Sequence, residues 1–422
     1  MKIVEREIKG TKGCDKRRHA SRLTPRLVSG LTSRAPWPKV KLGEVAKGIY
    51  DGPHATPPPC DTPGYYFLGI PQITPTGHID LANPRYIAED DYAKWTKRVV
   101  PREGDVIFSY EATLNLYAMI PKGMRCCLGR RMGLVRPDIA KLDSRFLYYY
   151  FFSPEWRRTV VEKTVTGATV DRLPIKTFPS FQMSLPPLPV QRRIADILSA
   201  YDDLIENNRR RIAILEETAR LAYRKWFAGA EKGKSATLGA ICREVRRGVS
   251  PDVIAPDTPY IGLEHMPRRS ISLCEWESAQ KVSSTKLAFE AGDILFGKIR
   301  PYFHKVGIAF VDGVASSDAI VIKPLRPELH AYVLMTVSSD AFVAAASQGM
   351  KEGSKMPRAD WKQLLNYSVV MPDDDTLAEF NKVLNSILEQ LKTLCFSIRN
   401  LAAARDMLLP RLMKDRSCSS SL

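Results

Sequence analysis

Two long stretches of the chain repeat a seam residue at steps that alternate between three and four. The first runs Ile194, Leu198, Tyr201, Ile205, Asn208, Ile212, Leu215, Ala219, Ala222 and Trp226. The second runs Leu377, Phe380, Leu384, Ile387, Leu391, Leu394, Ile398, Leu401, Arg405 and Leu408. A 3.5-residue period sustained this long is the pattern of a coiled coil. It predicts two helices of about 30–38 residues, each about 45–55 Å long. Neither seam can be left in water. The two helices are therefore expected to pair with each other, antiparallel, since each leads out of an equivalent domain. Asn208 is expected to fix their register, as buried polar seam residues do. Two ordinary core helices of separate domains would also bury a stripe, but not at so strict a period.

Outside the seams the pattern is mixed. Short apolar runs bounded by Gly and Pro predict strands at Tyr66–Ile70, Asp105–Ser109, Met132–Arg136, Ile261–Leu263, Asp293–Phe296, Gly307–Phe310 and Ala319–Ile322. Leu142–Phe152, Pro154–Val161 and Ala331–Ala346 predict helices. The chain also resembles itself. Pro101–Phe108 (PREGDVIF) matches Phe289–Phe296 (FEAGDILF), and Thr166–Pro174 loosely matches Gln348–Pro357. Ser184–Pro186 matches Val370–Pro372, in the same order and at an interval of about 185 residues. An interval this long means a duplicated domain and not a solenoid. The expected fold class is α+β, with two tandem domains separated by two long antiparallel coiled-coil helices. The expected boundaries are a basic extension at 1–36, a first domain at 37–186 and a proximal helix at 187–228. A second domain follows at 229–372, then a distal helix at 373–413 and a polar tail at 414–422. The small, polar stretch 228–236 reads as the linker into the second half.

Composition narrows the function. The 422 residues carry 63 Lys and Arg against 46 Asp and Glu, a net +17, which favours a polyanionic partner, nucleic acid first. Residues 1–36 alone hold ten Lys and Arg against three acidic residues, as a solvated tail or an arm on nucleic acid. No apolar run is long enough to span a membrane, and the N-terminus lacks the apolar stretch of a secretory signal. A cytoplasmic chain is expected. Its eight cysteines, Cys14, Cys60, Cys126, Cys127, Cys242, Cys274, Cys395 and Cys418, form no CxxC pair and are expected to be free thiols. The six histidines show no HExxH or HxH spacing, so no metal site is expected.

Enzyme signatures fail one by one. Gly229–Ser235 resembles a phosphate loop, but three residues separate its glycines where four are needed, and a long helix precedes it where a strand is required. Asn83-Pro84-Arg85-Tyr86 resembles an amino-methyltransferase loop, with Arg85 in place of the second proline and no glycine-rich cofactor turn before it. Pro251-Asp252 and Glu264 do not complete a nuclease motif. What remains suits binding: Arg reads guanine, Asn and Gln read adenine, and Lys, Ser, Thr and Tyr hold phosphates. The candidates in the first half are His54, Thr56, Gln72, Tyr110, Thr113, Asn115, Arg130, Arg131 and Thr169. Those in the second are Arg246, Arg247, His265, Lys298, Arg300, Tyr302, Ser317, Lys351 and Lys355. The run Lys298–Phe303 directly after a strand combines cations with aromatics, and Tyr110–Asn115 holds the equivalent place.

Leu185–Arg209 (LPPLPVQRRIADILSAYDDLIENNR), continued by Leu215–Phe227, resembles the central region of the specificity (S) subunits of type I restriction-modification systems. Gly292–Arg300 and Asp51–His54 fit as well, and the similarity covers about residues 37–413. The resemblance implies two target-recognition domains, each reading one half of a split, asymmetric site on double-stranded DNA. It implies two antiparallel helices that set the unread spacer, packed through Ile194, Leu198, Ile205, Asn208, Ile212, Leu215, Leu384, Ile387, Leu391, Leu394 and Ile398. It implies no catalytic site and no cofactor in this chain. Two methylation (M) subunits would use S-adenosylmethionine to methylate adenine N6, and restriction (R) subunits would use ATP and Mg. Residues 1–36 are longer than the family leads one to expect, which points to a start further downstream. Asp373–Phe380 departs from the central motif, so the resemblance does not carry residue-level M-subunit contacts to the distal helix. A fused methyltransferase or nuclease is the rival from another class, and a coiled-coil scaffold without sequence preference is the rival among DNA binders.

Overall fold

Apolar runs that cannot face water on either side fix the centre of each domain. The computed structural model describes residues 36–58, 60, 62–81, 83–167, 170–227, 234–348 and 356–414. They form two compact units, one of residues up to Tyr201 with those from Ala404, the other Asp202–Ala403. The expected basic extension lies outside the described residues except for Pro36, as do Cys14 and Cys418.

In the first unit, β1 (Lys39–Lys41) leads through the short helix α1 (Leu42–Val45) into β2 (Ala46–Asp51), β3 (Tyr65–Leu68) and β4 (Tyr86–Ile87). Helix α2 (Tyr92–Trp95) precedes β5 (Val106–Ser109), β6 (Tyr117–Met119), β7 (Cys126–Leu128) and β8 (Met132–Pro137). Helices α3 (Ser144–Tyr150) and α4 (Pro154–Lys163), then β9 (Gln182–Ser184), lead into the long helix α5 (Leu188–Phe227). The main sheet has the order β2-β8-β5-β6, and a smaller sheet the order β4-β3-β7. Strand β5 is buried along its whole length. Val106 and Phe108 face α3, α4 and the start of α5, while Ile107 faces Leu68 and Leu128 of the smaller sheet. A strand covered on both faces has no polar alternation, which is why the sequence reads as a continuous apolar run.

The second unit repeats this plan. Its strands are β10 (Lys234–Thr237), β11 (Cys242–Val245), β12 (Gly248–Val249), β13 (Pro259–Ile261), β14 (Ser272–Leu273) and β15 (Glu277–Ser278). They continue as β16 (Lys286–Phe289), β17 (Ile294–Gly297), β18 (Val306–Ala309), β19 (Gly313–Ala315), β20 (Ala319–Pro324) and β21 (Ser368–Met371). Helices α6 (His330–Val337), α7 (Asp340–Gln348), α8 (Trp361–Leu364) and α9 (Asp374–Leu412) complete it. The main sheet, β11-β20-β17-β18-β14, has the first unit's order with one added edge strand.

The repeated Gly-Asp motif has a structural cause. Gly104 and Gly292 turn the chain at φ 82° and 97°, a conformation glycine adopts without a Cβ clash. The following aspartate is buried. Asp105 accepts the Arg102 N–H at 2.8 Å and takes Arg136 of β8 in a two-pronged pair at 2.9 and 2.7 Å. Asp293 accepts the Glu290 N–H at 2.9 Å and faces Lys323 of β20 at 3.6 Å. The Gln191 of the PPLPVQ run is also buried: its amide takes the Asp143 N–H and donates to the Lys141 and Pro186 carbonyls, tying the start of α5 to α3.

The long helices run antiparallel. In the first unit Ile194 and Leu198 of α5 share a core with Leu409 and Leu412 of α9. In the second, Ile212 and Ala219 share one with Leu391, Leu394 and Leu384. Asn208 is buried, and its Nδ2 donates to Ser397 Oγ at 3.1 Å. Ile205 and Ile387 are buried, and Leu215 and Ile398 are half-buried. Toward the end of α9 the covered face shifts from the expected Leu401, Arg405 and Leu408 to Leu409 and Leu412. An α-helix drifts about 20° per heptad from a strict 3.5 period, so a straight seam cannot hold indefinitely.

Four expectations need correction. The linker at 228–236 is not all loop: Lys234–Ala236 lie in β10, paired with β21, where the partner strand decides the conformation. Residues 228–233 lie outside the described residues. The helix expected over Ala331–Ala346 is two helices bent by 65°, because Ser339 Oγ takes the Phe342 N–H and starts α7 anew. The expected strands Tyr66–Ile70 and Ile261–Leu263 stop early, at 3₁₀ turns discussed below. The cysteines are not all free: Cys274 and Cys395, 121 residues apart, form a disulfide with Cα atoms 4.9 Å apart. Sequence spacing cannot reveal a pair made by a loop after an edge strand and a helix packed beside it.

His304 anchors the β17–β18 connection. It is buried, its Nε2–H donates to the Ser338 carbonyl at 2.8 Å, and Nδ1 lies 3.5 Å from Asp340. Burial, helped by the Arg269 and Arg220 charges, lowers its pKa despite Ser338 and Asp340. The unfolded chain therefore binds a proton near pH 6.5 that the folded unit resists, so this contribution is present above that pH and lost below it. Stability of the second unit is expected to fall between pH 7.5 and 5.5, and His304→Asn is expected to flatten that slope, read by urea unfolding. Asp105→Ala is expected to cost about 3–5 kcal/mol, since it leaves the Arg136 guanidinium without its carboxylate. The lower urea midpoint should appear in the first unit only.

Candidate nucleic-acid interface

Antiparallel pairing brings the same four segments together in each unit. Asp51 at the end of β2 faces Gly133, and Ser109 at the end of β5 faces Met132. The end of β2, the β5–β6 connection and the start of β8 therefore share one corner. Val165, Asp171 and Arg172 close on it: Ala112 N–H donates to the Asp171 carbonyl at 3.0 Å, and Arg172 forms backbone bridges with Glu111 and Val165. In the second unit Val245 faces Val321, and Gly297 faces Ala319. There Arg300 N–H donates to Pro357 and Ala359 N–H to Lys298, both at 2.8 Å. The described ends of the loosely matched sequences, Asp171 to Pro174 and Met356 to Pro357, thus lie at equivalent positions.

In the first corner Asp51 pairs with Arg98 at 2.6 Å and with His54 Nε2 at 3.0 Å, and Arg131 pairs with Glu111 at 3.1 Å. His54, Thr56, Thr113 and Arg130 are exposed. Tyr110 is not: it is buried, and its hydroxyl has no hydrogen-bond partner among the described residues. Burial first, then Asp51 and Glu111, push its pKa to about 12, so it stays a protonated donor. Asn115 is half-buried, and its Oδ1 accepts from the Tyr117 hydroxyl at 3.0 Å. Ala112, Asn115 and Arg131 all take positive φ, at 68°, 63° and 71°.

The second corner is a cleft of about 530 Å³ whose polar lining includes Glu244, Arg246, Lys298, Ser317, Arg358 and Lys362. Arg246 pairs with Glu244 at 2.7 Å, and Arg358 with Asp318 at 3.3 Å. Lys298 donates to the Ser317 carbonyl and lies 3.9 Å from Asp318. Three of the expected residues, Arg246, Lys298 and Ser317, converge here. Arg300 and Tyr302 stand on the adjoining β17–β18 connection, Tyr302 exposed. Arg98, Arg358 and Lys362 were missed. Arg358 was the readable one, directly after the matched Pro357.

Other expectations are corrected by geometry. Gln72 is buried and its Oε1 accepts the Gly69 N–H at 3.1 Å; His265 is half-buried and its Nδ1 accepts the Gly262 N–H at 2.9 Å. Both side chains close a 3₁₀ turn at the same point of the repeat, Ile70–Gln72 and Leu263–His265, so they shape the chain. Arg247, next to Arg246 in the connection between β11 and β12, pairs instead with Glu290 at 2.8 Å. Hydrogen bonds from Lys323 and Arg247 hold that carboxylate down to about 2. Thr169, Lys351 and Lys355 lie outside the described residues. Glu264, His265 and Glu277 bring possible ligand atoms within 4.8 Å of one another. With Nδ1 accepting, the other ring nitrogen carries the proton and is not a ligand.

Among the described residues no single helix is long and apolar enough to cross a membrane. Residues 35–217 match the family model of the type I restriction modification DNA specificity domain. The type I restriction enzyme MjaIX specificity subunit of Methanocaldococcus jannaschii is 22% identical over 414 residues, covering 89% of this chain and 91% of the relative. The putative type I restriction enzyme MjaX specificity subunit of the same organism is 30% identical over 119 residues, 28% of this chain and 27% of the relative. The crystal structure of the type I restriction-modification system S subunit from M. genitalium shares the fold, with TM-score 0.55 and 14% identity over 91% of this chain and 98% of that one. With a specificity-domain match through most of α5 and the same sheet built twice, the chain is similar over most of its length to type I restriction-modification specificity subunits.

Proposed function

We propose that each unit reads one half of a split DNA site and that the paired helices set the length of the unread spacer. The observation that carries this reading is the corner built twice: the same strand order presents cations, hydroxyls and backbone turns at the same end of each main sheet. Exposed cations supply salt-dependent affinity, and a few side chains on base edges supply choice. The two corners carry different side chains, Thr113 and Arg130 in one, Arg246 and Arg358 in the other, which suits an asymmetric site. The chain itself is non-catalytic on this reading and works in the cytoplasm. Two M subunits methylate adenine N6 with S-adenosylmethionine, and R subunits translocate and cleave with ATP and Mg. The helices offer a place to dock: Leu204, Ile214 and Leu221 of α5 are exposed apolar residues at heptad-compatible spacing, away from the buried seam.

Two measurements test this reading. Duplexes selected from a random library by the M-bound chain are expected to share a gapped motif. Arg246→Ala with Arg358→Ala is expected to relax base preference in one half by about ten-fold, and Arg130→Ala in the other. Equal binding to all duplexes would favour a scaffold without sequence preference. Adding one heptad to both helices, after Asn208 and before Ser397, is expected to lengthen the spacer by about three base pairs. Both half-sites should stay unchanged; a new base preference would contradict the spacing role.

A further inference from the structure

The β17–β18 connection is held in a costly shape around one exposed aromatic side chain. Arg300 and His304 take φ of 47° and 53° at the two ends of the 3₁₀ turn Pro301–Phe303. Left-handed backbone at two residues other than glycine persists only when the surroundings impose it. They do: Arg300 N–H is bound by Pro357, His304 by Ser338, and the His304 carbonyl takes the Arg269 N–H at 2.9 Å. Pro301 is buried, and the Phe303 ring lies under the Arg268 guanidinium at 4.1 Å. Tyr302 at the apex is different. It is 51% exposed and meets the Phe303 ring edge-on, with ring centres 4.9 Å apart. Cations stand near it in sequence, Lys298, Arg300 and Lys305, and the guanidinium groups of Arg268 and Arg300 lie over the neighbouring Phe303 ring at 4.1 and 5.8 Å. The equivalent connection of the first unit, with Ala112 and Asn115 at positive φ, exposes Thr113 and has no exposed aromatic ring.

A rigid aromatic ring standing free among cations matches the chemistry of a base-stacking contact: the cations hold phosphates while the ring takes the apolar face of a base. We propose that Tyr302 is a stacking wedge that partly unstacks one base step in the half-site read by the second unit, so that this unit senses the deformability of that step. The proposal rests on the DNA-recognition reading and adds a mode of recognition to one unit only. Arg300 and His304 are positioning residues that hold the ring out.

The test uses the M-bound chain and the selected bipartite duplex, with 2-aminopurine placed at successive positions. Wild type and Tyr302→Phe are expected to raise its fluorescence at one step in one half-site. Tyr302→Ala is expected to abolish that rise and weaken binding by at least about five-fold, with preference in the other half unchanged. The side chain is exposed, so an unchanged urea midpoint shows that the variant folds. Tyr302→Ala binding and fluorescing like wild type would overturn the wedge alone. Tyr302→Phe failing as badly as Tyr302→Ala would overturn it in favour of a hydroxyl contact. Wild type choosing no duplex would overturn the recognition reading and the wedge together.

Discussion

Everything in this structure follows from a main sheet that is covered on both faces. Strands β5 and β17 are buried along their length between helices and a second sheet. Neither face can carry a polar function without leaving it unsatisfied. Polar chemistry therefore moves to where strands end. At one end the Gly-Asp turns absorb it with a buried carboxylate and a cation from the neighbouring strand. At the other, the strands run out into connections whose side chains face water. The corner with Arg246, Lys298 and Arg358 exists because that is the place the sheet leaves open.

The same constraint explains what was legible in the chain. Apolar runs such as Val106–Phe108 and Ile294–Phe296 showed the central strands, and the alternating steps of three and four showed both helices and Asn208. The duplication was visible in Gly104-Asp105 and Gly292-Asp293 because a positive φ and a buried carboxylate each admit few residue types. The site was less legible. Gln72 and His265 look like base readers, but a side chain that accepts from its own turn cannot be told from one that faces solvent without coordinates. Arg246 and Arg247 are adjacent in the connection between β11 and β12, yet one lines the cleft and the other pairs with Glu290. Cys274 and Cys395 meet only because the chain after β14 packs on α9, where Trp276 also lies under Arg399 at 3.7 Å.

On the proposed reading the energetics of recognition are divided. Cations with carboxylate neighbours, such as Arg131 with Glu111 or Arg358 with Asp318, are held in place and have part of their charge offset. They are suited to orienting contacts more than to raw attraction. Exposed Arg130 and Lys362 are better placed to bind phosphates, and their contribution should weaken as salt rises. Two modest readers on one chain bind tightly because the second event is intramolecular once the first has occurred.

The most direct measurement of the central claim is single-molecule sequencing of adenine methylation in the native genome, with and without this gene. The account expects a gapped motif, with two unlike halves, to be methylated on both strands and to lose that methylation when the gene is removed. Every methylated motif persisting unchanged in a cell whose M subunits are expressed would contradict it.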